Sequence, residues 1–374
     1  MKIVIATDSF KGTLKAHEAC EIISKAIAEI VPDAQLVIKP MADGGEGTAG
    51  AMIKAAKGQW IPQTVMGPLP DMQVEAGFAW FDDKTALVEM ASASGLELLL
   101  AEQMNPLKTT TYGTGQLIKA ALEYGAHKIL LAVGGSATVD GGLGAAMALG
   151  WKFLDSQDNP VPLGGVALEK ITTIVKPENL KLIPTEVLCD CDNPLCGEKG
   201  AAKIYGPQKG ATDKMVKQLE KGLTHLTDIV SKQLGRDIDV PGAGAAGGLA
   251  GGAIAFMNAD VVSGIETIMA YSNILAELES TDWVITGEGS FDKQSLYGKV
   301  VSGILKIASQ SHTRVAVLAG QVDIPQQEYQ KIGISTAISC KDENMSLEYA
   351  LENSRRLLYS AAQRFAMQYL SDSC

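Results

Sequence analysis

The sequence predicts an α/β fold in two domains: a doubly wound parallel sheet of five strands, and an inserted α/β domain of mixed strands. Three observations predict it. Apolar runs of strand length at both ends of the chain break into Gly-rich turns that carry carboxylates, the pattern of buried parallel strands meeting their loops. Amphipathic segments of helical period lie between those runs. After Trp60 the texture changes to short alternating stretches, and the regular succession of strand and helix resumes only near Ser280.

In chain order, Lys2 to Ala6 reads as the first strand and runs into Thr7-Asp8-Ser9-Phe10-Lys11-Gly12. Ala19, Ile22, Ile23, Ala26, Ile27 and Ile30 then fall on one helical face, with Glu18, Glu21, Lys25 and Glu29 elsewhere, and Pro32 ends the helix. Gln35 to Lys39 is the second strand and runs into Met41-Ala42-Asp43-Gly44-Gly45-Glu46-Gly47. A short helix from Glu46 to Lys57, closed by Gly58, follows. Pro62, Gly67, Pro68 and Pro70 then punctuate runs such as Ala76 to Phe81 and Ala86 to Met90, which read as hairpin strands. A helix at Thr114 to Tyr124, capped by Gly125, feeds a strand at Lys128 to Val133 and the turn GGSATVDGG. Asp213 to Leu234 is a further amphipathic helix.

The late strands are Trp283 to Thr286, Arg314 to Ala319 and Ser335 to Ser339. After the first of these, Gly287 and Gly289 are expected to turn the backbone at positive φ, which places Glu288 and Asp292 on the turn rather than in the core, before Lys299 opens a helix. A final helix, Leu347 to Gln368, is expected to cover the sheet through Leu351, Leu358, Ala361, Ala362 and Phe365. The outer strands imply the flavodoxin-like order 2-1-3-4-5, in a discontinuous domain of residues 1–60 and 265–374, with 61–264 inserted. In such a sheet the loops leave the carboxyl ends of the strands on one edge, where ligands bind. With the loop Gln321-Val322-Asp323 after Arg314 to Ala319, four acid-bearing loops on that edge make a site.

At 374 residues, 46% hydrophobic and 20% charged, the chain can bury a sizeable core. A net charge of −11 without a local Lys/Arg cluster argues against nucleic acid as a partner. Met1 leads straight into a strand, and the longest weakly polar run, Gly242 to Met257, is too short and Gly-rich to span a bilayer, so no membrane role is expected. Six cysteines without framework spacing fit reduced thiols in a cytoplasm.

No G-x-x-x-x-G-K-[ST] phosphate loop and no protein-kinase signature set occurs. Gly242-Ala243-Gly244-Ala245-Ala246-Gly247 fits the dinucleotide fingerprint only weakly, because Pro241 precedes it and the leading strand is short; close helix packing explains it better. In GGSATVDGG, Ser136 and Thr138 add hydroxyl donors to a turn of free N–H groups ahead of a helix, a nest suited to an anion. Asp140 there is either an N-cap or a ligand. In EVLCDCDNP, period-two alternation puts Asp190 and Asp192 on one face and Cys189 and Cys191 on the other. A zinc site on Cys189, Cys191 and Cys196 would lack a fourth ligand. Lys199, Lys203 and Lys209 offer cations for phosphate or carboxylate, or form a solvated loop. Acids on several loops, glycine nests and scattered lysines are what Mg²⁺-dependent phosphoryl transfer to a small metabolite requires.

DSFKG, ADGGEGT, GGSATVDGG, CDCDNPLCG, YGPQKGA, PGAGAAGG and TGEGSFDKQSLYGK follow one another in an order and spacing that closely resembles the type-1 glycerate kinase family, typified by bacterial glycerate 2-kinases. The resemblance runs from Met1 to about Gly320. It implies phosphorylation of D-glycerate by ATP with Mg²⁺, on the 2-hydroxyl, by two α/β domains with a site between them. Carried over by position, the pattern marks Asp190, Lys11 and Asp8 as catalytic, and Asp43, Glu46, Glu288 and Asp292 as metal-binding. It marks Ser9, Ser136, Thr138, Asn193, Lys209, Gln294, Ser295 and Lys299 as substrate- or phosphate-binding. The chain departs from the family at Thr7, where members carry Pro, and at Ser290, where they carry Arg; Lys293 is the expected replacement charge, without a bidentate fork. Two other functions stay open: a metal-dependent phosphatase of a small sugar acid, which would use the same acids, and a non-catalytic two-lobed sensor, which fits the crevice but needs no three converging carboxylates.

Overall fold

Both ends of the chain contribute strands to one parallel sheet. In the computed structural model, which describes residues 1–42, 44–45, 47–296, 299–342 and 344–371, its order is Gln35–Ile38, Lys2–Ile5, Trp283–Thr286, Arg314–Ala319, Ile334–Ser339. That is the 2-1-3-4-5 order expected, with Val4 opposite Val37 on one side and Val284 on the other. The three central strands are buried runs of β-branched and aliphatic residues, as a sheet covered on both faces demands, while the edge strand Gln35–Ile38 is half-buried to exposed. The helix Ala16–Ile30 packs beside Ser354–Tyr369, with Ile23, Ile27, Leu358 and Phe365 in a core shared with Ile3, Ile5 and Trp283. Phe365 meets Trp283 edge-on at 5.2 Å. The helix Val300–Ser311 packs against the two strands that follow Ser280.

Two expectations for this sheet are corrected. The last helix is two, Leu347–Glu352 and Ser354–Tyr369, with a break at Asn353 (φ −104°, ψ 14°); Leu351 is therefore 46% exposed while Leu358, Ala361, Ala362 and Phe365 are buried. Gly287 and Gly289 do not adopt positive φ. A Cβ on Gly287 would instead lie 1.9 Å from the carbonyl oxygen of Leu318, so this glycine is required by close approach of the neighbouring strand.

The middle of the chain forms a six-stranded sheet in the order Asp260–Val262, Thr185–Leu188, Lys128–Ala132, Thr85–Glu89, Gln73–Trp80, Gln59–Met66. The first four strands run parallel, and the expected hairpin, Gln73–Trp80 with Thr85–Glu89, supplies an antiparallel join. Its core includes Phe78, Val88, Leu131, Phe153 and Phe256. The helix Asp213–Leu234 carries its apolar stripe, Leu219, Leu223, Leu226 and Val230, into that core. The chain divides into two compact units: Met1–Asp43, Gly50–Lys57 and Ile265–Cys374 in one, Gly44–Ala49 and Gly58–Gly264 in the other. Among the described residues no helix is long and apolar enough to cross a membrane.

The strand Thr185–Leu188 stops before the CDCDN segment, yet the expected alternation persists: Asp190 and Asp192 are exposed, while Cys189 and Cys191 are half-buried with their sulfurs 3.3 Å apart. Past the end of that strand, Cys189 N–H still donates to the Val262 oxygen at 2.9 Å.

Candidate active site

Within the first unit, the loops that leave the carboxyl ends of the strands enclose a pocket of about 420 Å³. Its charged end is made by Asp8, Lys11, Glu288, Asp292 and Lys299, with Ser9 and Ser290 beside them. Backbone pairing continues past the strand ends to hold these loops in register. Asp8 N–H donates to the Gly287 oxygen at 2.9 Å, Gly320 N–H to the Glu288 oxygen at 3.1 Å and Gln321 N–H to the Gly289 oxygen at 3.1 Å. Ser290–Phe291 then pairs parallel with Gln321–Val322. The opposite wall is apolar, from Leu347, Ala350, Leu351 and Leu357 of the C-terminal helices. Leu347 and Leu351 are 64% and 46% exposed and lie one helical turn apart. Sequence reasoning placed Gln321 on one of the site's four loops but missed this wall and Lys341; two leucines a turn apart on one helix were the available signal.

Glu288 lies on the turn, as expected, yet is only 8% exposed. Burial raises its pKa above the usual carboxylate value, Ser295 and Lys299 pull it back, and the negative charge of Asp292 adds to the rise. Lys299 Nζ sits 3.5 Å from one carboxylate oxygen; the other, Oε1, is buried without a hydrogen-bond partner among the described residues. That atom faces the need for a cation or a donor. Gln294 and Ser295 fall in the short 3₁₀ turn after Asp292. Gln294 N–H donates to Asp292 Oδ1 at 2.7 Å, and Ser295 Oγ donates to the Ser290 oxygen at 3.2 Å while accepting from Asp292 N–H at 3.1 Å. Neither lines the pocket; both shape the turn that presents Asp292. Lys293 is exposed and outside the lining, so the pocket cations are Lys11, Lys299 and Lys341 instead.

Asp43 and Glu46 lie outside the described residues. Around them, Gly44 and Gly45 pack in the second unit, where a Cβ on Gly134 would fall 2.4 Å from the Gly45 Cα. Glu89, at the end of the strand Thr85–Glu89, accepts from the N–H groups of Gly47 and Ala49. Nothing in the sequence singled it out. Among the described residues no cluster of three or more His, Cys, Asp or Glu forms a metal cage. A magnesium ion needs no such cage, because it takes one or two carboxylates and completes its shell with phosphate and water; Glu288 and Asp292 fit that donor set.

In the second unit the GGSATVDGG turn holds an anion of its own. Asp140 is fully buried and accepts from Thr111 N–H at 2.8 Å, Thr111 Oγ1 at 2.9 Å, Gly142 N–H at 3.1 Å and Gly144 N–H at 3.3 Å. Gly141 N–H is bound to the Gly247 oxygen. These N–H groups are therefore not free for a ligand, and Asp140 acts as the structural cap. Burial still raises its pKa against those donors. Lys209, expected on a basic loop, is 2% exposed and donates to Ser136 Oγ at 2.6 Å and to the Thr138 oxygen at 2.8 Å. Burial pushes its ammonium down to about 7, with Asp140 opposing the shift. The GAGAAG stretch serves packing: a Cβ on Gly247, at φ +67°, would meet the Thr138 oxygen at 1.9 Å.

Asp190 is exposed at the strand end and accepts from Ser263 Oγ at 2.7 Å and Gly264 N–H at 3.1 Å. Asn193 is fixed by Tyr205 OH, which donates to its Oδ1 at 2.7 Å, and by its own Nδ2, which donates to the Lys199 oxygen at 2.9 Å. The structure thus gathers Asp8, Ser9, Lys11, Glu288, Asp292 and Lys299 at one pocket, and Ser136, Thr138 and Lys209 in one cluster.

Comparison with known proteins bears on this arrangement. The model of the glycerate kinase family matches residues 3–370. A glycerate kinase of Halalkalibacterium halodurans is 42% identical over 98% of this chain and 97% of its own length. A glycerate 2-kinase of Escherichia coli K12 is 46% identical over 86% of each chain. A crystal structure from Salmonella typhimurium LT2 that carries the name glycerate kinase 2 superposes with a TM-score of 0.87 at 39% identity, covering 100% of this chain and 99% of that one. With its doubly wound sheet, its acid- and lysine-bearing strand-end loops and these relatives, the chain belongs to the glycerate kinase family of phosphotransferases.

Proposed function

We propose that the protein phosphorylates the 2-hydroxyl of D-glycerate with ATP and Mg²⁺, giving 2-phosphoglycerate and ADP. One observation carries the choice of a nucleotide: the pocket of the first unit joins an apolar wall, suited to a base, to a charged end with lysines and acids, suited to phosphates. The name of the Escherichia coli relative supports the 2-position. Lys11 and Lys299 bind phosphate oxygens, with Ser9 donating beside them. Glu288 and Asp292, with Asp43 and Glu46, hold the magnesium ion, which when bound neutralises charge on the phosphates. Asp8 orients the loop by accepting from Ser9 N–H at 2.6 Å.

In the second unit, Lys209 donates to Ser136 Oγ and so leaves the serine proton to point at the substrate carboxylate, with Thr138 and Asn193 as further donors. Asp190 takes the proton of the glycerate hydroxyl as that oxygen bonds to the γ-phosphorus; the bond from that phosphorus to the β–γ bridging oxygen breaks, and ADP leaves. Residues 1–60 with 265–374, and 61–264, are the two domains of this reading, and the cytoplasm is its compartment. Following ADP release with and without D-glycerate tests it. ADP formed only when D-glycerate is present supports the kinase; phosphate released from phosphoglycerate without nucleotide, or glycerate binding without turnover, overturns it.

A further inference from the structure

Two cysteines flank Asp190, and their sulfurs touch: Cys189 Sγ and Cys191 Sγ are 3.3 Å apart. Both side chains are half-buried, which leaves them reachable by a small solute. The Cys191 thiol is pulled down chiefly by its hydrogen bond with Cys189, then by Tyr205 and the Asn193 N–H, against burial, while Cys189 is pushed up by that same bond and by burial. Cys196 differs, since its sulfur lies 3.7 Å from Thr227 Oγ1 and burial pushes its thiol up.

We propose that Cys189 and Cys191 form a reversible dithiol–disulfide pair that reacts with small-molecule disulfides, and that closing the bond pulls Asp190 away from Ser263 and Gly264 and stops turnover. The thiolate of Cys191 attacks one sulfur of the small disulfide and expels a thiolate, leaving a mixed disulfide. Cys189 then loses its proton to solvent and attacks Cys191 Sγ. A second small thiolate leaves, and both leaving thiolates take up protons. The protein dithiol is oxidised by two electrons and the small disulfide is reduced to two thiols. Residues two apart in an extended chain have Cα atoms separated by roughly 7 Å, whereas a disulfide needs about 4.4–6.8 Å. Closure therefore contracts the backbone at Asp190, the residue between. In a reducing compartment such a bond is transient and regulatory rather than structural.

The effect on turnover rests on Asp190 as the base; formation of the bond does not. The test treats the reduced full-length protein with glutathione disulfide, then measures intact mass, maps the linked peptide and assays glycerate-dependent ADP formation. The expected result is loss of two hydrogens in mass, a Cys189–Cys191 link and a fall in turnover of at least about 10-fold, all reversed by dithiothreitol. Cys191→Ser abolishes the reaction, Cys189→Ser stops at a glutathione adduct on Cys191 without the internal bond, and Cys196→Ser keeps the full response. No reaction, a lasting glutathione adduct, or a bond to Cys196 overturns the pair. A mapped Cys189–Cys191 bond with unchanged turnover overturns the switch. Near-normal turnover of reduced Asp190→Asn strikes the base assignment instead and leaves the mapped bond standing.

Discussion

Glu288 is held in tension by its surroundings: burial favours the neutral acid, while Lys299 favours the carboxylate. Replacing it with Gln removes a buried charge and keeps the shape. For Glu288→Gln the metal-free protein should keep its melting temperature, with a stability change within about 1 kcal/mol. The Mg²⁺ concentration for half-maximal turnover should rise several-fold, and MgATP should stabilise the variant less than the wild type. Unchanged magnesium dependence in a titration would make the turn structural. Lys299→Met should raise the KM for ATP at every magnesium level, because added metal elsewhere does not replace a missing phosphate cation. Lys209 predicts a pH dependence. Its folded-state value is depressed from 10.5 to about 7, so the unfolded chain binds the extra proton between those values and stability from this group rises with pH across that window. Denaturant midpoints of Lys209→Met should lack that rise, a difference of a few kcal/mol at most, roughly. Parallel pH curves for the two proteins would refute it.

At the scale of elements, two glycines with positive φ separate strain from collision. Gly12 (φ +76°) has open space around it, whereas Gly247 (φ +67°) faces the Thr138 oxygen at 1.9 Å. Gly12→Ala should cost about 1–2 kcal/mol and Gly247→Ala more than about 3 kcal/mol, read from chemical denaturation; similar losses would deny the close packing of GAGAAG on the GGSATVDGG turn. Elements with a strong period were legible in the sequence. The helix Asp213–Leu234 has the bounds its stripe implies, and the outer strands follow their apolar runs. What was not legible depends on contacts distant in sequence. Asp140 fills its own turn because Thr111 is brought to it, and Lys209 is buried because Ser136 and Thr138 receive it. The break at Asn353, which turns Leu351 to the pocket, has no proline or glycine to mark it.

At the scale of the whole molecule, motif order along the chain made the family legible, while chemistry at each residue was not. Asp190 illustrates the difference, since its place in CDCDN was plain but its anchoring by Ser263 and Gly264 appears only in the fold. Asp190→Asn should lower kcat by roughly 10²-fold or more, with little change in nucleotide affinity. The central claim is transfer of the γ-phosphoryl group of ATP to the 2-hydroxyl of D-glycerate, and a two-dimensional proton–phosphorus NMR correlation on the product mixture tests it directly. The account predicts a new phosphorus signal coupled to the single proton on carbon 2. Coupling to the protons on carbon 3, or free inorganic phosphate with glycerate unmodified, would contradict it.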